Sequence, residues 1–313
     1  MRDAFVDTLT ELAGEDERVC ALTGDLGLDL FDAFQLRAPG RFVNVGIAEQ
    51  TLVGVAAGLA LAGKVPFAYS IIPFVTSRPH DQIRVDVAMT GAPVKIVGVG
   101  AGYAYGSAGP THHAIEDLAL MRAVPGMTVL TPADPREAAA ATRAALATPG
   151  PVYLRLGKNG EAAVVPPDVP YEPGVARWIS RGGDVTLASI GTALPIAIEA
   201  AGQLGERGVR AGVLHFPSLR PFDTLAVLDA LAAAPAVVTV EEHNRDGGFG
   251  SAVAEAMAES GLPGRLARVG MPDRHCGQVG SREYLMAHVG ADAAGVRAAA
   301  TALLERTRMR RAA

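Results

Sequence analysis

One acidic residue stands where a parallel sheet presents side chains to a ligand. Residues 42–50 read Phe-Val-Asn-Val-Gly-Ile-Ala-Glu-Gln, which predicts a short buried strand, a sharp turn at Gly46 and a helix with Glu49 in its first turn. Ligands of open α/β sheets bind at the carboxyl ends of the strands, so this carboxylate would lie beside a bound molecule. The alternative is that Glu49 only complements the helix dipole, as acidic residues in first turns commonly do.

Two adjacent histidines end a glycine-rich loop that follows the clearest predicted strand, residues 93–99. The loop, residues 98–113, lacks the glycine spacing of a dinucleotide fingerprint and the Lys-Ser or Lys-Thr of a P-loop. It therefore delivers His112 and His113 to the edge of the sheet. Imidazole titrates near neutrality, which suits acid–base work on hydroxyl and carbonyl groups. The alternative is a helix N-terminus with one solvated ring and one packed ring.

Helical and strand-like segments alternate along the chain in the manner of βαβ units. This order predicts an α/β protein with two doubly wound, mostly parallel-sheet domains. One predicted helix covers residues 77–90, and another contains the small-residue run 51–63, which must be covered on nearly every side by its own domain or by another chain. A proline-rich linker at 166–175 separates predicted domains at 1–165 and 176–313, each with its own core.

Composition is that of an ordinary soluble protein. The 313 residues are 49% hydrophobic, and the net charge of −5 gives no general attraction to nucleic acid or anionic membrane. The most apolar run has 13 residues, too few to span a bilayer. Cys20 and Cys276 are far apart and no export segment opens the chain, so we expect a reducing cytoplasm without disulfides or a thiolate metal site. We expect a solvated tail at the end, where the basic residues are Arg306, Arg308, Arg310 and Arg311.

Several separated motifs resemble the C-terminal half of transketolases and deoxyxylulose-phosphate synthases. In that family's order they are Gly-Ile-Ala-Glu-Gln at 46–50, Asp-Gln-Ile-Arg at 81–84, Gly-Pro-Thr-His-His at 109–113, Val-Pro-Gly-Met at 124–127, Pro-Ala-Asp at 132–134, Glu-Glu-His-Asn at 241–244 and Gly-Ala-Asp at 290–292. The resemblance covers essentially the whole chain and implies a pyrimidine-binding domain for thiamine diphosphate, then a transketolase C-terminal domain. The chain is similar to the small subunit of a split, two-component transketolase.

The resemblance also shows what is missing. The family holds the diphosphate of the cofactor through Mg²⁺ with a Gly-Asp-Gly motif, and the sequence contains none. The segment 24–26, Gly-Asp-Leu, instead resembles the family's Ala-Asp-Leu at the cofactor interface. We therefore expect that the chain alone neither binds the cofactor tightly nor turns over. The implied partner is the N-terminal, diphosphate-binding subunit, which would hold Mg²⁺ in an α2β2 assembly with sites between chains.

Four side chains acquire cofactor-binding roles from the resemblance. Glu49 would form a hydrogen bond with the pyrimidine of the cofactor and so help it to lose its reactive proton. Phe74 would be the aromatic platform under that ring, with an ordinary core residue as the alternative. Asp25 would lie near the thiazolium cation, and Gln82 would lie at the cofactor.

Three side chains acquire substrate-binding roles. His112 resembles the family histidine that contacts substrate oxygens, and His113 stands beside it. Arg155 resembles an arginine that binds the terminal phosphate of the substrate, since its planar fork suits an oxyanion. The alternative for Arg155 is an ion pair that holds the end of the strand.

Three positions depart from the family's pattern. Ala108 stands where the family usually has an Asp that reads a sugar hydroxyl, Gly100 where it has His or Asp, and Ala101 where deoxyxylulose-phosphate synthases have Arg. The loss of these polar contacts predicts a substrate other than an ordinary pentose or hexose phosphate. The implied reaction moves a two-carbon ketol or acyl unit from a ketose-like or 2-oxo acid donor to an aldehyde.

Two other functions stay open. The β subunit of a 2-oxo acid dehydrogenase shares the architecture and an Asp-Gln-Ile segment, although Gly-Pro-Thr-His-His favours a transketolase. A catalytically silent scaffold is the other alternative, and the presence of Glu49, Phe74 and His112 argues against it. Two further histidines, His243 and His275, are expected to be structural or interface residues.

Overall fold

A computed structural model describes residues 1–27, 29–167 and 170–312, with side chains as far as residue 306. Strands and helices alternate along these ranges. The strands are β1 (Val19–Thr23), β2 (Phe42–Asn44), β3 (Val65–Ile71), β4 (Lys95–Val99), β5 (Thr128–Leu130), β6 (Val152–Leu156), β7 (Arg177–Ser180), β8 (Val185–Ile190), β9 (Ala211–Phe216), β10 (Ser218–Arg220), β11 (Ala236–Asn244) and β12 (Arg265–Met271). The helices are α1 (Arg2–Glu15), α2 (Asp32–Arg37), α3 (Glu49–Leu61), α4 (Ile72–Thr76), α5 (His80–Gln82), α6 (Asp117–Ala123), α7 (Pro135–Ala147), α8 (Leu194–Gly205), α9 (Thr224–Ala233), α10 (Phe249–Ser260), α11 (Arg282–His288) and α12 (Ala293–Ala312).

The first sheet has the strand order β10-β5-β6-β4-β3-β1-β2, and its neighbouring strands are parallel except for β10. Every residue of β1, β3, β4 and β6 is buried, because a parallel sheet has helices or other cover on both faces and its strands are nearly continuously apolar. The carboxyl ends of β6, β4, β3, β1 and β2 therefore lie side by side along one edge. This edge carries the residues discussed below.

The second sheet has the order β12-β11-β8-β9-β7, with β7 antiparallel at one edge. The predicted class, α/β with mostly parallel sheets, is confirmed. Strand β10 comes from the second half of the sequence but pairs with β5 of the first sheet. One hydrophobic cluster likewise contains Val129 of the first half together with Phe216 and Leu219 of the second. The two halves thus share one hydrophobic cluster, while each half also has a cluster of its own, one entirely in the first half and one mostly in the second.

Local structure differs from the sequence prediction in two places. Strand β2 lies at the edge of the first sheet, so Phe42 and Val43 are half-buried and Asn44 is exposed, where a buried strand was predicted. The predicted helix 77–90 begins earlier, as α4 at Ile72, and continues after an interruption as α5 and a π-helical segment (Ile83–Ala88). Pro79 explains the interruption, because proline lacks an N–H and clashes with a preceding helical turn.

Some elements and residues fall outside the sequence prediction or outside the described ranges. The short strands β7 and β10 and helix α11 were not predicted. Asp168 and Val169 of the predicted linker lie outside the described residues, as do the side chains of Arg308, Arg310 and Arg311 in the predicted basic tail. In the part of the chain that is described, no helix is long and apolar enough to cross a membrane.

Helix α3 is covered on one side. The buried side chains on that side include Leu52, Val53 and Ala56. On the other side Val55 is 37% exposed and Leu61 is 69% exposed, and a Cβ added at Gly54 or Gly58 would meet no atom within 4 Å. The near-complete cover predicted for this apolar helix is therefore not supplied by the described part of the chain, and an exposed apolar face of this kind is typical of an interaction surface.

A buried ion pair of the first half also contacts the second half. The guanidinium of Arg155 donates to Asp117 at 2.7 Å and 3.1 Å, and Tyr153 donates its hydroxyl to the same carboxylate at 2.7 Å. Arg155 also donates to the backbone carbonyl of Glu242 in the second half, at 2.9 Å. Burial by itself would raise the pKa of Asp117, but the charge and hydrogen bonds of Arg155 outweigh it and the pKa lies below its usual value.

Replacement Asp117→Asn should destabilise the chain by about 3–5 kcal/mol, because it leaves a buried guanidinium without a counter-charge. Urea unfolding at pH 7 measures this loss. The exposed pair between Glu11 and Arg143 provides the control, and Glu11→Gln should cost only about 0–1 kcal/mol. The contribution of Asp117 is present above the ordinary pKa of aspartate and lost as the pH falls below about 4. Equal losses in the two variants would contradict this account.

Candidate active site

Five neighbouring strand ends bring the candidate residues to one edge of the first sheet. Along the sheet from β6 to β2, the segments after the strands carry Lys158, His112, Phe74, Asp25 and Glu49, respectively. Because the strands are parallel, all five segments leave from the same edge. Side chains that are more than a hundred residues apart in sequence are thus placed in a row.

The Glu49 carboxylate lies in a buried position at the start of α3. Gly46 has a φ of +77°, which allows the chain to turn from β2 into the helix. Glu49 is 2% exposed, and its carboxylate lies across the end of β1, 3.5 Å from the hydroxyl of Ser70 in β3. Arg78 donates from Nη1 to its other oxygen at 2.8 Å. The buried carboxylate is thus held at the sheet edge by the guanidinium of Arg78, from the segment that follows β3.

Aromatic and imidazole rings extend the row from Glu49. The central carbon of the Arg78 guanidinium lies 4.0 Å from the centroid of the Phe74 ring. The His112 ring meets Phe74 edge-on, with centroids 5.0 Å apart, and lies 6.3 Å from the Tyr105 ring. Phe74 and His112 are both half-buried. Glu49, Phe74 and His112 therefore lie in one row at the sheet edge, linked through Arg78, and their shared role in a site stays a prediction.

Asp25 and Gln82 lie at the margins of this row. Asp25 is exposed after β1, with a φ of +57°, and its carboxylate accepts a hydrogen bond from the side-chain amide of Asn44 at 3.0 Å. The side-chain oxygen of Asn44 accepts from the backbone N–H groups of Asp25 and Gly46, each at 3.0 Å. Gln82 is half-buried on α5, which packs against α3. Their predicted cofactor contacts remain predictions.

The two adjacent histidines point to different environments. His113 is 3% exposed and packs edge-on against Tyr103, with centroids 4.7 Å apart. Among the described residues neither of its ring nitrogens has a hydrogen-bond partner. Burial lowers the pKa of His113, so the ring is neutral at pH 7. The structure therefore places His113 inside the fold rather than beside His112, which corresponds to the alternative of one packed and one accessible ring.

Arg155 does not reach the site edge. It lies within β6, is 4% exposed and is held by Asp117 and by the carbonyl groups of Ala114 and Glu242. A substrate phosphate would have to break these contacts to reach the guanidinium. The contacts in the structure are those of the ion-pair alternative, and the phosphate-binding role stays a prediction.

Lys158 is the cation that the sequence analysis missed. It follows the end of β6, and its Nζ lies 4.6 Å from the centroid of the Tyr105 ring, which is itself 6.3 Å from the centroid of the His112 ring. It also lines a cavity of about 510 Å³ between the glycine-rich loop and the start of α11. The end of β6 could have indicated this residue in the sequence. A side chain beyond the last paired residue of a strand is free to face a ligand, whereas Arg155 lies inside the strand.

Tyr105 gives a physical reason for one departure from the family's pattern. A Cβ at Gly100 would lie 2.3 Å from the Tyr105 ring, and Gly100 has a φ of +96°. A histidine or aspartate at this position is therefore incompatible with the observed position of Tyr105. Ala108 is exposed at the end of the turn at Gly106–Ala108. The Tyr105 ring thus occupies the space that a side chain at position 100 would need.

Comparison with known proteins agrees with this geometry. Family models described as the transketolase pyrimidine-binding domain and the transketolase C-terminal domain match residues 1–160 and 174–296. A 6-deoxy-6-sulfo-D-fructose transketolase subunit of Clostridium sp. strain MSTE9 is 39% identical over 99% of this chain and 96% of its own length. An apulose-4-phosphate transketolase subunit of Actinobacillus succinogenes is 40% identical over 82% of each chain. A solved split-gene transketolase, described as an inactive β4 tetramer, is 39% identical with a TM-score of 0.87 over 97% of each chain.

The residues fit one half of thiamine diphosphate. An aminopyrimidine needs an aromatic face and a carboxylate at its edge, and Phe74 and Glu49 supply both within one row. The diphosphate needs Mg²⁺ and its oxygen ligands. Among the residues described, no group of three or more His, Cys, Asp or Glu side chains could hold a metal ion. The side chains at the sheet edge therefore fit the pyrimidine end of the cofactor.

The position of Tyr105 can be tested through Gly100. Gly100→Ala should destabilise the chain through backbone strain and through the clash with Tyr105, whereas Gly91→Ala introduces strain alone, since Gly91 has a φ of +67° and open space around it. We expect about 1–2 kcal/mol for strain in each variant and about 1–3 kcal/mol more for the clash in Gly100→Ala. Urea unfolding of both variants measures the difference, and equal values would show that Tyr105 does not depend on Gly100.

Proposed function

Because this chain belongs to the transketolase family, we propose that it forms the pyrimidine-binding half of the active site in a two-chain enzyme. The enzyme uses thiamine diphosphate to transfer a two-carbon ketol or acyl unit to an aldehyde acceptor. The proposed pyrimidine-binding domain covers residues 1–165 and the C-terminal domain residues 176–313. The observation that carries the proposal is the buried carboxylate of Glu49, held at the sheet edge in one row with Phe74 and His112.

The residues of this chain divide the work around the cofactor. Thiamine diphosphate supplies, when bound, the carbon atom that accepts the two-carbon unit. Glu49 hydrogen-bonds the edge of the aminopyrimidine, in a buried position where such a bond is strong. Phe74 supports the face of that ring and contacts His112. His112 is then close to the reacting end of the substrate and exchanges a proton or hydrogen bond with its oxygens.

A partner subunit completes the site. We assign to it the Mg²⁺ ion and the diphosphate, since the sequence contains no Gly-Asp-Gly motif. The open side of α3 supports a contact next to Glu49, and it continues into further exposed apolar residues, namely Ile47 (77% exposed), Val85 (38%) and Met89 (71%). The proposed assembly has two copies of each subunit. The inactive β4 tetramer of the similar split-gene protein is consistent with a chain that self-associates but needs its partner for turnover.

Lys158 supports a substrate with an anionic end. The similar subunits are named for a sulfonated sugar and for apulose 4-phosphate, and each name includes an anionic group. Lys158 contacts the Tyr105 ring, which lies near the His112 ring. A cation at this position would attract a phosphate or sulfonate. Ala108 and Gly100 remove polar contacts found in other family members, so the proposed substrate is not an ordinary pentose or hexose phosphate.

Two further assignments rest on the family match and on the state of the two cysteines. The matched family models are those of transketolases, which favours this function over the β subunit of a 2-oxo acid dehydrogenase. Cys20 and Cys276 are buried and free, which supports the proposed location in the cytoplasm. The silent-scaffold alternative is decided by the following experiment.

Glu49→Gln should lower kcat of the reconstituted two-subunit enzyme by about 10²–10⁴-fold, the usual contribution of a positioned acid–base group. Turnover with a ketose donor and an aldehyde acceptor is measured at saturating cofactor, after size-exclusion chromatography has shown that the complex assembles. Glu15→Gln, an exposed glutamate at the end of α1, is the matched control and should leave kcat unchanged. Unchanged turnover of Glu49→Gln would favour a scaffold over a catalytic subunit.

A further inference from the structure

We propose that Arg78 occupies the pyrimidine site when no cofactor is bound and must leave it for the cofactor to enter. This inference rests on the proposed function, since it takes Glu49 and Phe74 as the cofactor's contacts. Arg78 makes both contacts in the structure. Its Nη1 donates to Glu49 Oε2 at 2.8 Å, and its guanidinium carbon lies 4.0 Å from the centroid of the Phe74 ring.

The guanidinium group and the aminopyrimidine have similar recognition chemistry. Each is a planar, delocalised group with nitrogen atoms along its edge, so each can lie on an aromatic face and hydrogen-bond a carboxylate in its own plane. Contact between stacked carbon atoms requires a separation of about 3.5–4.0 Å. A guanidinium already at that separation from Phe74 excludes a second planar group from the same face. Arg78 and the cofactor therefore compete for one position.

Burial explains why the cofactor-free chain needs a cation here. The side chain of Glu49 is 3% exposed, and a buried carboxylate without a partner is costly. The side chain of Arg78 is 45% exposed and belongs to the turn between α4 and α5. It can swing into solvent without moving the core, whereas Glu49 cannot follow it. The ion pair thus stabilises the isolated chain and is lost in the loaded enzyme.

Competition predicts two effects of opposite sign from one substitution. In Arg78→Met the pyrimidine site is no longer occupied by a guanidinium. The two-subunit complex of this variant, once freed of cofactor, should therefore bind thiamine diphosphate with Mg²⁺ about tenfold more tightly than the unsubstituted complex. Calorimetric titration measures both affinities. The isolated chain should melt about 2–4 °C lower, because Glu49 has lost its counter-charge. A residue with only a structural role would not strengthen cofactor binding when it is replaced.

A matched pair in the second half provides the control. Arg181 also lies over an aromatic ring, 4.6 Å from the centroid of Trp178, and donates to the carboxylate of Asp229 at 3.1 Å. Arg181→Met removes the same kinds of contact away from Glu49 and should leave the cofactor affinity unchanged. Arg78→Gln retains a hydrogen-bond donor for Glu49 and should show both effects of Arg78→Met at smaller size.

The outcomes separate this inference from the function on which it rests. Weaker or unchanged binding by both Arg78 variants, with normal binding by the unsubstituted complex, would overturn the inference and leave the proposed function standing. Absence of binding by the unsubstituted complex and by Arg181→Met would overturn both. Tighter binding by the Arg78 variants, with a lower melting temperature of the isolated chain, is the expected result.

Discussion

The structure depends most on the cost of burying one carboxylate. Glu49 is 2% exposed at the start of a helix whose other side lies open. A buried charge requires a partner, and in this chain the partner is Arg78, held at the same time by the face of Phe74. In the isolated chain the guanidinium of Arg78 fills a flat space bounded by the Glu49 carboxylate and the Phe74 ring. The proposed binding of an aminopyrimidine uses that space.

Sequence reasoning identified the residues whose position follows from strand ends. Glu49 and His112 were each placed after a predicted strand, and parallel strands bring such residues together whatever their separation in sequence. Phe74 came from the family resemblance alone. The sequence did not indicate the role of a residue where that role depends on which side of a strand or loop its side chain faces. Arg155 lies one residue before the end of β6 and is buried in an ion pair, whereas Lys158 lies two residues beyond the end and contacts the Tyr105 ring. Arg155 and Lys158 are thus only three residues apart, yet the first is a structural cation and the second is a candidate for binding a ligand.

Other features required the tertiary structure. Strand β10 has three residues and belongs to the first sheet although it comes from the second half of the sequence, and no local pattern announces such a pairing. His112 packs against Phe74 whereas His113 packs against Tyr103, and the sequence does not show which ring each histidine contacts. The pairing of Arg78 with Glu49 could not be predicted either, because it joins an exposed residue before a proline to a helix start 29 residues earlier.

The central claim is that this chain carries only the pyrimidine half of a cofactor site that two subunits complete. Isothermal titration of thiamine diphosphate with Mg²⁺ tests it most directly, first into the chain alone and then into the chain mixed with a diphosphate-binding transketolase subunit. The account predicts saturable heat in the mixture and none with the chain alone. Tight binding by the chain alone would contradict it, because the chain would then contain a diphosphate site of its own.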